Sequence, residues 1–118
     1  MRVLVVDDEE PIRRLLARYG GEQQWQVVTA ENPQQVLAIF NPKNFQAAFI
    51  DVNMGDGIDG IELAQKLRDL DPDLRIMMMS GDPANNSRIE AAELGPVLAK
   101  PFSLSGLEEL VESRILSK

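Results

Sequence analysis

Five short apolar runs, each followed by a stretch of helical periodicity, constrain this chain more than any other feature of its sequence. Residues 3–6, 26–30, 47–50, 76–79 and 97–99 read as strands. Several lack inside/outside alternation, which suits parallel strands covered on both faces. Ile12, Leu15, Leu16 and Tyr19 follow i, i+3, i+4, i+7 spacing, with Pro11 in the first turn and Gly20 and Gly21 as the expected stop. Asn32 and Pro33 open a second helix carrying Val36, Leu37 and Phe40, closed by Asn41 and Pro42. A third runs from near Gly60 through Ile61, Ala64, Leu67 and Leu70 to Asp71 and Pro72. A fourth, over residues 83–94, has a weak stripe (Ile89, Ala92) and stops at Gly95 and Pro96. The fifth carries Leu104, Leu107, Leu110, Val111 and Ile115, with Ser103 as its cap. A βα unit repeated five times predicts an α/β, doubly wound, three-layer sandwich, because right-handed crossovers place helices on both faces of a parallel sheet. Strand order 2-1-3-4-5 is the common solution, although the pattern alone leaves the order open.

The 118 residues fit one domain, 1–118, which at this size buries roughly two-thirds of its unfolded surface. No apolar run approaches the ~18 residues of a membrane span, and the first residues lack the pattern of a signal peptide, so a soluble, cytoplasmic protein is expected. A net charge of −7 opposes direct nucleic-acid binding. Without cysteine or histidine, disulfides, thiolate metal sites and imidazole chemistry are excluded. Chemistry here must run on carboxylates, hydroxyls, lysines and a hard cation.

In an open α/β sheet, ligands bind beyond the carboxyl ends of the strands, where the strand order reverses. Asp7 and Asp8 follow the first strand, Asp51 ends the third, Ser80 the fourth, and Lys100 follows the fifth. With the first and third strands adjacent, three carboxylates converge, and such a cluster requires protons or a cation. Mg²⁺ suits the oxygen-only donor set. Each residue also has an ordinary structural reading. Asp7 and Asp8 can cap the first helix, Asp51 can be a loop carboxylate, Ser80-Gly81 a turn, and Lys100 a solvated side chain. Met77, Met78 and Met79 read as core strand, and Glu108, Glu109 and Glu112 as a solvated face. It is the convergence of four signals at four strand ends that points to a site.

In these residues the chain resembles the response regulator receiver family, whose fold is flavodoxin-like. Residues 3–8 with Glu9, Glu10 and Pro11 match its first strand and acidic pair. Asp51, Val52, Asn53 and Met54 match the phosphoacceptor strand end, and Asp59 and Gly60 the turn that follows. Ser80 and Gly81 match the hydroxyl-plus-small-residue step, and Lys100, Pro101 and Phe102 the lysine–proline signature. The resemblance implies that Asp51 takes a phosphoryl group from a phosphohistidine on a sensor histidine kinase or phosphotransfer protein. It implies Mg²⁺ held by Asp8, Asp51 and the backbone carbonyl of Asn53, with Asp7 acting mostly through water. Lys100 would neutralise phosphoryl oxygens, Gly81 would leave space beside them, and the Ser80 hydroxyl would bond one of them and draw the next loop inward. Asn53 and Asp82 would tune hydrolysis. The protein would be a switch controlling a downstream partner or output domain, as a monomer or a phosphorylation-dependent dimer, rather than an enzyme acting on other molecules.

Three departures stand out. Gly55 replaces a usual proline, and the loop Gly55, Asp56, Gly57 is one residue longer than usual. The segment 95–100 is about two residues short. Val97 occupies the position where many members carry an aromatic that reports phosphorylation. That last departure keeps a second reading open, a receiver-like interaction module working without phosphorylation. A phosphatase of the haloacid-dehalogenase type needs a second Asp two residues after the first, but Glu9 and Asn53 stand there. FMN binding would need a hydroxyl-rich loop where two acids stand. Arg13, Arg14 and Arg18 on the first helix read as a solvated face, or as a dock for an acidic kinase surface. A stand-alone regulator and the receiver part of a longer protein fit the sequence equally.

Overall fold

The computed structural model describes residues 1–55, 57–94 and 97–116. Five parallel strands, β1 (Arg2–Val6), β2 (Gln26–Ala30), β3 (Ala47–Asp51), β4 (Arg75–Ser80) and β5 (Val97–Ala99), form one sheet in the order β2-β1-β3-β4-β5. The helices are α1 (Glu10–Glu22), α2 (Pro33–Ile39), α3 (Gly60–Leu70), α4 (Asn86–Ala91) and α5 (Leu104–Val111). A 3₁₀ turn (Pro83–Asn85) leads into α4, and a π turn (Glu112–Leu116) follows α5.

Both faces of the sheet are covered. Val3, Val5, Ala47, Phe49, Met77 and Met79 pack with Leu16 and Tyr19 of α1 and with Leu107, Leu110 and Val111 of α5. Leu4, Val6, Ala48, Ile50, Ile76 and Met78 pack with Val36 of α2, Leu63 and Leu67 of α3 and Ile89 of α4. Period-two alternation thus divides each apolar run between two cores, which is why the runs show no polar face. Among the described residues, no helix is long and apolar enough to cross a membrane.

Local capping follows the sequence closely. Asn32, Asp59 and Ser103 accept from the backbone N–H groups of Gln35, Glu62 and Gly106, starting α2, α3 and α5. Two helix ends differ from expectation. Gly20 and Gly21 do not stop α1 but lie inside it. A Cβ at Gly20 would sit 2.4 Å from Val27 Cγ2, so this glycine lets α1 approach β2. The helix ends at Gln23, with Gln24 left-handed at φ 65°. The segment expected as one helix over 83–94 is a 3₁₀ turn plus the six residues of α4, closed by Glu93 at φ 58°; the expected stop at Gly95 and Pro96 lies outside the described residues. Four predicted helix-stripe residues, Leu15, Leu37, Leu70 and Leu104, are exposed. They flank buried neighbours at the rim of each apolar stripe. Gly55 takes φ 86°, a value closed to the proline that usually stands there; Asp56 lies outside the described residues.

Candidate functional site

The sheet order reverses between β1 and β3, and the polar residues gather beyond that point. Asp7 is fixed at the end of β1 by its N–H on the Ala30 carbonyl (3.1 Å), and Val52 after β3 by its N–H on the Met79 carbonyl (3.0 Å). The Lys100 N–H reaches the Ser80 carbonyl at 2.8 Å, so the lysine leaves β5 level with the end of β4. The Lys100–Pro101 peptide bond is cis. Glu9, Ile12, Asp51, Asn53, Gly81, Asp82, Lys100 and Pro101 line one cleft at this edge.

Carboxylate oxygens of Asp7, Asp8 and Asp51 lie within 4.8 Å of one another. Asp7 and Asp51 are buried, whereas Asp8 is exposed. Lys100 is the cation among them: its Nζ lies 2.6 Å from Asp7 Oδ2, 3.1 Å from Asp51 Oδ1 and 3.9 Å from Glu9 Oε1. With its side chain only 11% exposed, Lys100 is not the solvated surface lysine of the ordinary reading. Burial and the negative charge of Asp7 push the Asp51 carboxyl up to about 6, against the opposing pull of Lys100. Burial works against the Lys100 ammonium, but its bond to Asp7 and the charge of Asp51 outweigh burial and hold its pKa above the ordinary value.

This crowding is the physical test for a cation. One ammonium faces three carboxylates, two of them buried, and every donor is a hard oxygen, the chemistry that Mg²⁺ selects. Asp7 already accepts from the Glu9 N–H through Oδ1 and from Lys100 through Oδ2. Both of its oxygens are thus engaged, while Asp51 and Asn53 line the open cleft and Asp8 is exposed beside them. The capping reading of Asp7 and Asp8 is not what the structure shows: Glu9 occupies the N-cap of α1, which has no side-chain cap bond, and the backbone N–H that Asp7 accepts from is that of Glu9 itself.

Ser80 is buried, and its hydroxyl is engaged by the segment that follows β4. It donates to the Asp82 carbonyl (3.0 Å) and accepts from the Asp82 N–H (3.1 Å) and Asn85 Nδ2 (3.0 Å). The turn reading and the functional reading of Ser80 are thus both compatible with its surroundings. A Cβ at Gly81 would make only ordinary contact, 3.9 Å from Lys100 Cβ.

Several supporting residues were not singled out for the site from sequence. A Cβ at Gly60 would lie 1.9 Å from the Asp51 carbonyl oxygen, so only glycine lets α3 begin against the end of β3. Arg13 is not a free basic residue. Its Nη1 donates to the Asp7 carbonyl (2.9 Å) and its Nη2 to Glu31 (3.3 Å), pinning the β1–α1 loop to the start of α2. Arg14 and Arg18 pair with Glu10 and Glu22 on their own helix. Asn85, the buried last residue of the 3₁₀ turn, is another supporting residue. Helix spacing would have flagged Arg13 as one turn after Glu9, but nothing local marks Asn85.

A family model for the response regulator receiver domain matches residues 3–112. The chain belongs to the response regulator receiver family. As such it is the receiver domain of a two-component response regulator. The chain is 30% identical over 98% of its length to the response regulator receiver protein CpdR of Brucella abortus, and covers 98% of that protein. It is 32% identical to the transcriptional regulatory protein SrrA of Staphylococcus aureus over 86% of this chain, but spans only 42% of SrrA. Among solved structures, TrrA of Thermotoga maritima, in complex with Mg²⁺–BeF, superposes with a TM-score of 0.83 at 31% identity, covering 95% of this chain and 96% of TrrA. Chemotaxis protein CheY4 of Vibrio cholerae shares the fold, with a TM-score of 0.84 at 24% identity and coverage of 97% and 98%.

Proposed function

We propose that this receiver accepts a phosphoryl group on Asp51 from a phosphohistidine of a sensor kinase or phosphotransfer protein, in a Mg²⁺-dependent reaction. The observation that carries this reading is Lys100, part-buried and bridging Asp7 and Asp51 at the edge where three carboxylates meet. A carboxylate oxygen of Asp51 attacks phosphorus, forming an O–P bond as the N–P bond to imidazole breaks and the departing nitrogen keeps the electron pair. Asp8, Asp51 and the Asn53 carbonyl would hold the cation, with Asp7 behind a water. When bound, Mg²⁺ supplies positive charge to the phosphoryl oxygens.

Lys100 holds Asp51 in place before transfer and turns its charge to a phosphoryl oxygen afterwards. The Ser80 hydroxyl, held at 3.0 Å by the Asp82 carbonyl, turns to another of those oxygens, and the loop after β4 follows it. Asn53 and Asp82, which both line the cleft, set access of hydrolytic water. The product is a change of surface for a downstream protein or output domain, not a released small molecule, so the chain acts on itself alone. The complex of TrrA with Mg²⁺–BeF, a phosphoryl stand-in, supports the same use of the site here. The net charge of −7 supports action by protein contact rather than on nucleic acid.

Borohydride reduction after treatment with acetyl phosphate and Mg²⁺ tests the site directly. Reduction of an acyl phosphate should convert residue 51 alone to homoserine, read by peptide mass spectrometry. Conversion at another aspartate, or at none while the protein carries an adduct, would refute the assignment.

A further inference from the structure

A serine hydroxyl has one proton to donate and two lone pairs to accept with. In Ser80 all three are in use. The proton goes to the Asp82 carbonyl, and the lone pairs take the Asp82 N–H and Asn85 Nδ2. Ser80 therefore cannot donate to a phosphoryl oxygen on Asp51 without dismantling this set. The two donors left behind are not equivalent. Asp82 is exposed, so water can replace the lost acceptor of its N–H, whereas Asn85 is 8% exposed and its amide would lose a buried partner.

Asn85 also occupies a mechanical junction. It is the last residue of the 3₁₀ turn and the residue before α4, anchored to that turn by its own N–H on the Asp82 carbonyl (3.0 Å). From there α4 is short; Ile89 packs into the core, and two polar contacts hold its middle and the residues after it. Arg88 pairs with Asp59 at the start of α3, and Arg68 of α3 donates to the Glu93 carbonyl (3.3 Å). The Ser80 bond thus holds the N-terminal end of α4 to β4. Val97, half-buried against the core on the α4 side of the sheet, offers no polar group to transmit a change at Ser80.

We infer that Asn85 is a positioning residue that holds the Ser80 hydroxyl away from Asp51, and that loss of its bond when Ser80 turns frees the first turn of α4. This rests on the reading of Asp51 as phosphoacceptor and Ser80 as its responder. Asn85 then stabilises the unphosphorylated form, and phosphorylation is read out at the junction of the 3₁₀ turn with α4.

The test is a double-mutant cycle on the whole chain, with Mg²⁺ and beryllofluoride as the phosphoryl stand-in. Asn85→Ala should tighten beryllofluoride binding about fivefold, the equivalent of one neutral hydrogen bond, and should raise amide exchange over residues 83–91 in the metal-free protein. In a Ser80→Ala background the same substitution should change affinity by less than about twofold, since no hydroxyl remains to be held. General loosening of the turn would act equally in both backgrounds, and that result overturns the proposal, as does unchanged affinity in Asn85→Ala. Asn85→Leu, similar in volume but without a donor, gives the same reading if the alanine variant unfolds. Failure of the wild type to bind beryllofluoride would instead remove the Asp51 reading beneath the inference.

Discussion

Asp51 and Asp71 are both buried carboxylates, 5% and 2% exposed, but they lie at opposite edges of the sheet and are held in opposite ways. Asp71, between α3 and β4, accepts from the backbone N–H groups of Lys43 (2.8 Å) and Asp73 (3.2 Å). Lys43 Nζ stands 3.9 Å away on a side chain that is 71% exposed. This carboxylate is a fastener joining the α2–β3 and α3–β4 loops. Asp51 shares the part-buried ammonium of Lys100 with Asp7 and lies beside Asp8. A satisfied buried carboxylate closes a fold, whereas a crowded one is poised to receive something positive. Burial alone does not separate the two; the partners do.

Breaking each partnership in turn sharpens that contrast. The largest effect should come from Lys100→Met, which leaves Asp7 and Asp51 without their cation. In EDTA at pH 7 it should lower unfolding free energy by about 3–5 kcal/mol, read by urea titration, and added Mg²⁺ should restore part of the loss. Asp71→Ala, which strips two backbone donors of their acceptor, should cost about 3 kcal/mol. It should leave acetyl phosphate labelling unchanged, and a labelling defect in a folded Asp71→Ala protein would erase the distinction between the edges.

Asp51→Asn should act in the opposite direction, stabilising the metal-free protein by about 2 kcal/mol at pH 7. The sign follows from the raised carboxyl, about 6 in the fold against an ordinary value of 3.8. The contribution of protonated Asp51 is complete below about pH 4 and is lost as pH rises through about 6. The gain from Asp51→Asn should therefore be small near pH 4 and level off above pH 7 in denaturant titrations across that range. A pH-independent difference would show that charge crowding is not its cause. Smallest of all, Lys43→Met should shift stability by less than about 0.5 kcal/mol, because its ion pairs with Asp71 and Asp73 are made by a largely exposed side chain.

Much of this arrangement was legible in the sequence because short apolar runs alternate with stretches of helical spacing. Apolar runs too short for helices marked all five strands, and placing Asp7, Asp51, Ser80 and Lys100 at their ends was enough to bring them to one edge. The sheet order came from the common solution for that pattern and is the order found. What escaped depended on contacts made across turns, between residues near in sequence but on no shared helical or strand period. Gly20 looks like a helix stop, yet it is there for close approach to Val27, thinly signalled from seven residues away. Gly60 reads as a turn residue at the start of the third helix, which it is, but the pattern does not show that its lack of a Cβ is what seats α3 on Asp51. Arg13 looked like surface charge because its acceptor is a backbone carbonyl, which no pattern of side chains reveals. Asn85 escaped for a similar reason: an asparagine near a helix start is ordinary, and only the three-dimensional turn brings its amide to Ser80. Leu104, counted with the fifth helix's stripe, proved exposed because the stripe narrows to Leu107, Leu110 and Val111.

The most direct test of the central claim, that Asp51 is poised to accept a phosphoryl group, is intact-protein mass spectrometry over time with acetyl phosphate. Wild type and Asp51→Asn should be compared with Mg²⁺ and with EDTA. One phosphoryl adduct on wild type, dependent on Mg²⁺ and absent from Asp51→Asn, is the predicted result. An adduct of equal yield on Asp51→Asn would contradict the account. So would no adduct on wild type together with no Mg²⁺-dependent binding of beryllofluoride, which would leave a receiver fold that works by contact alone.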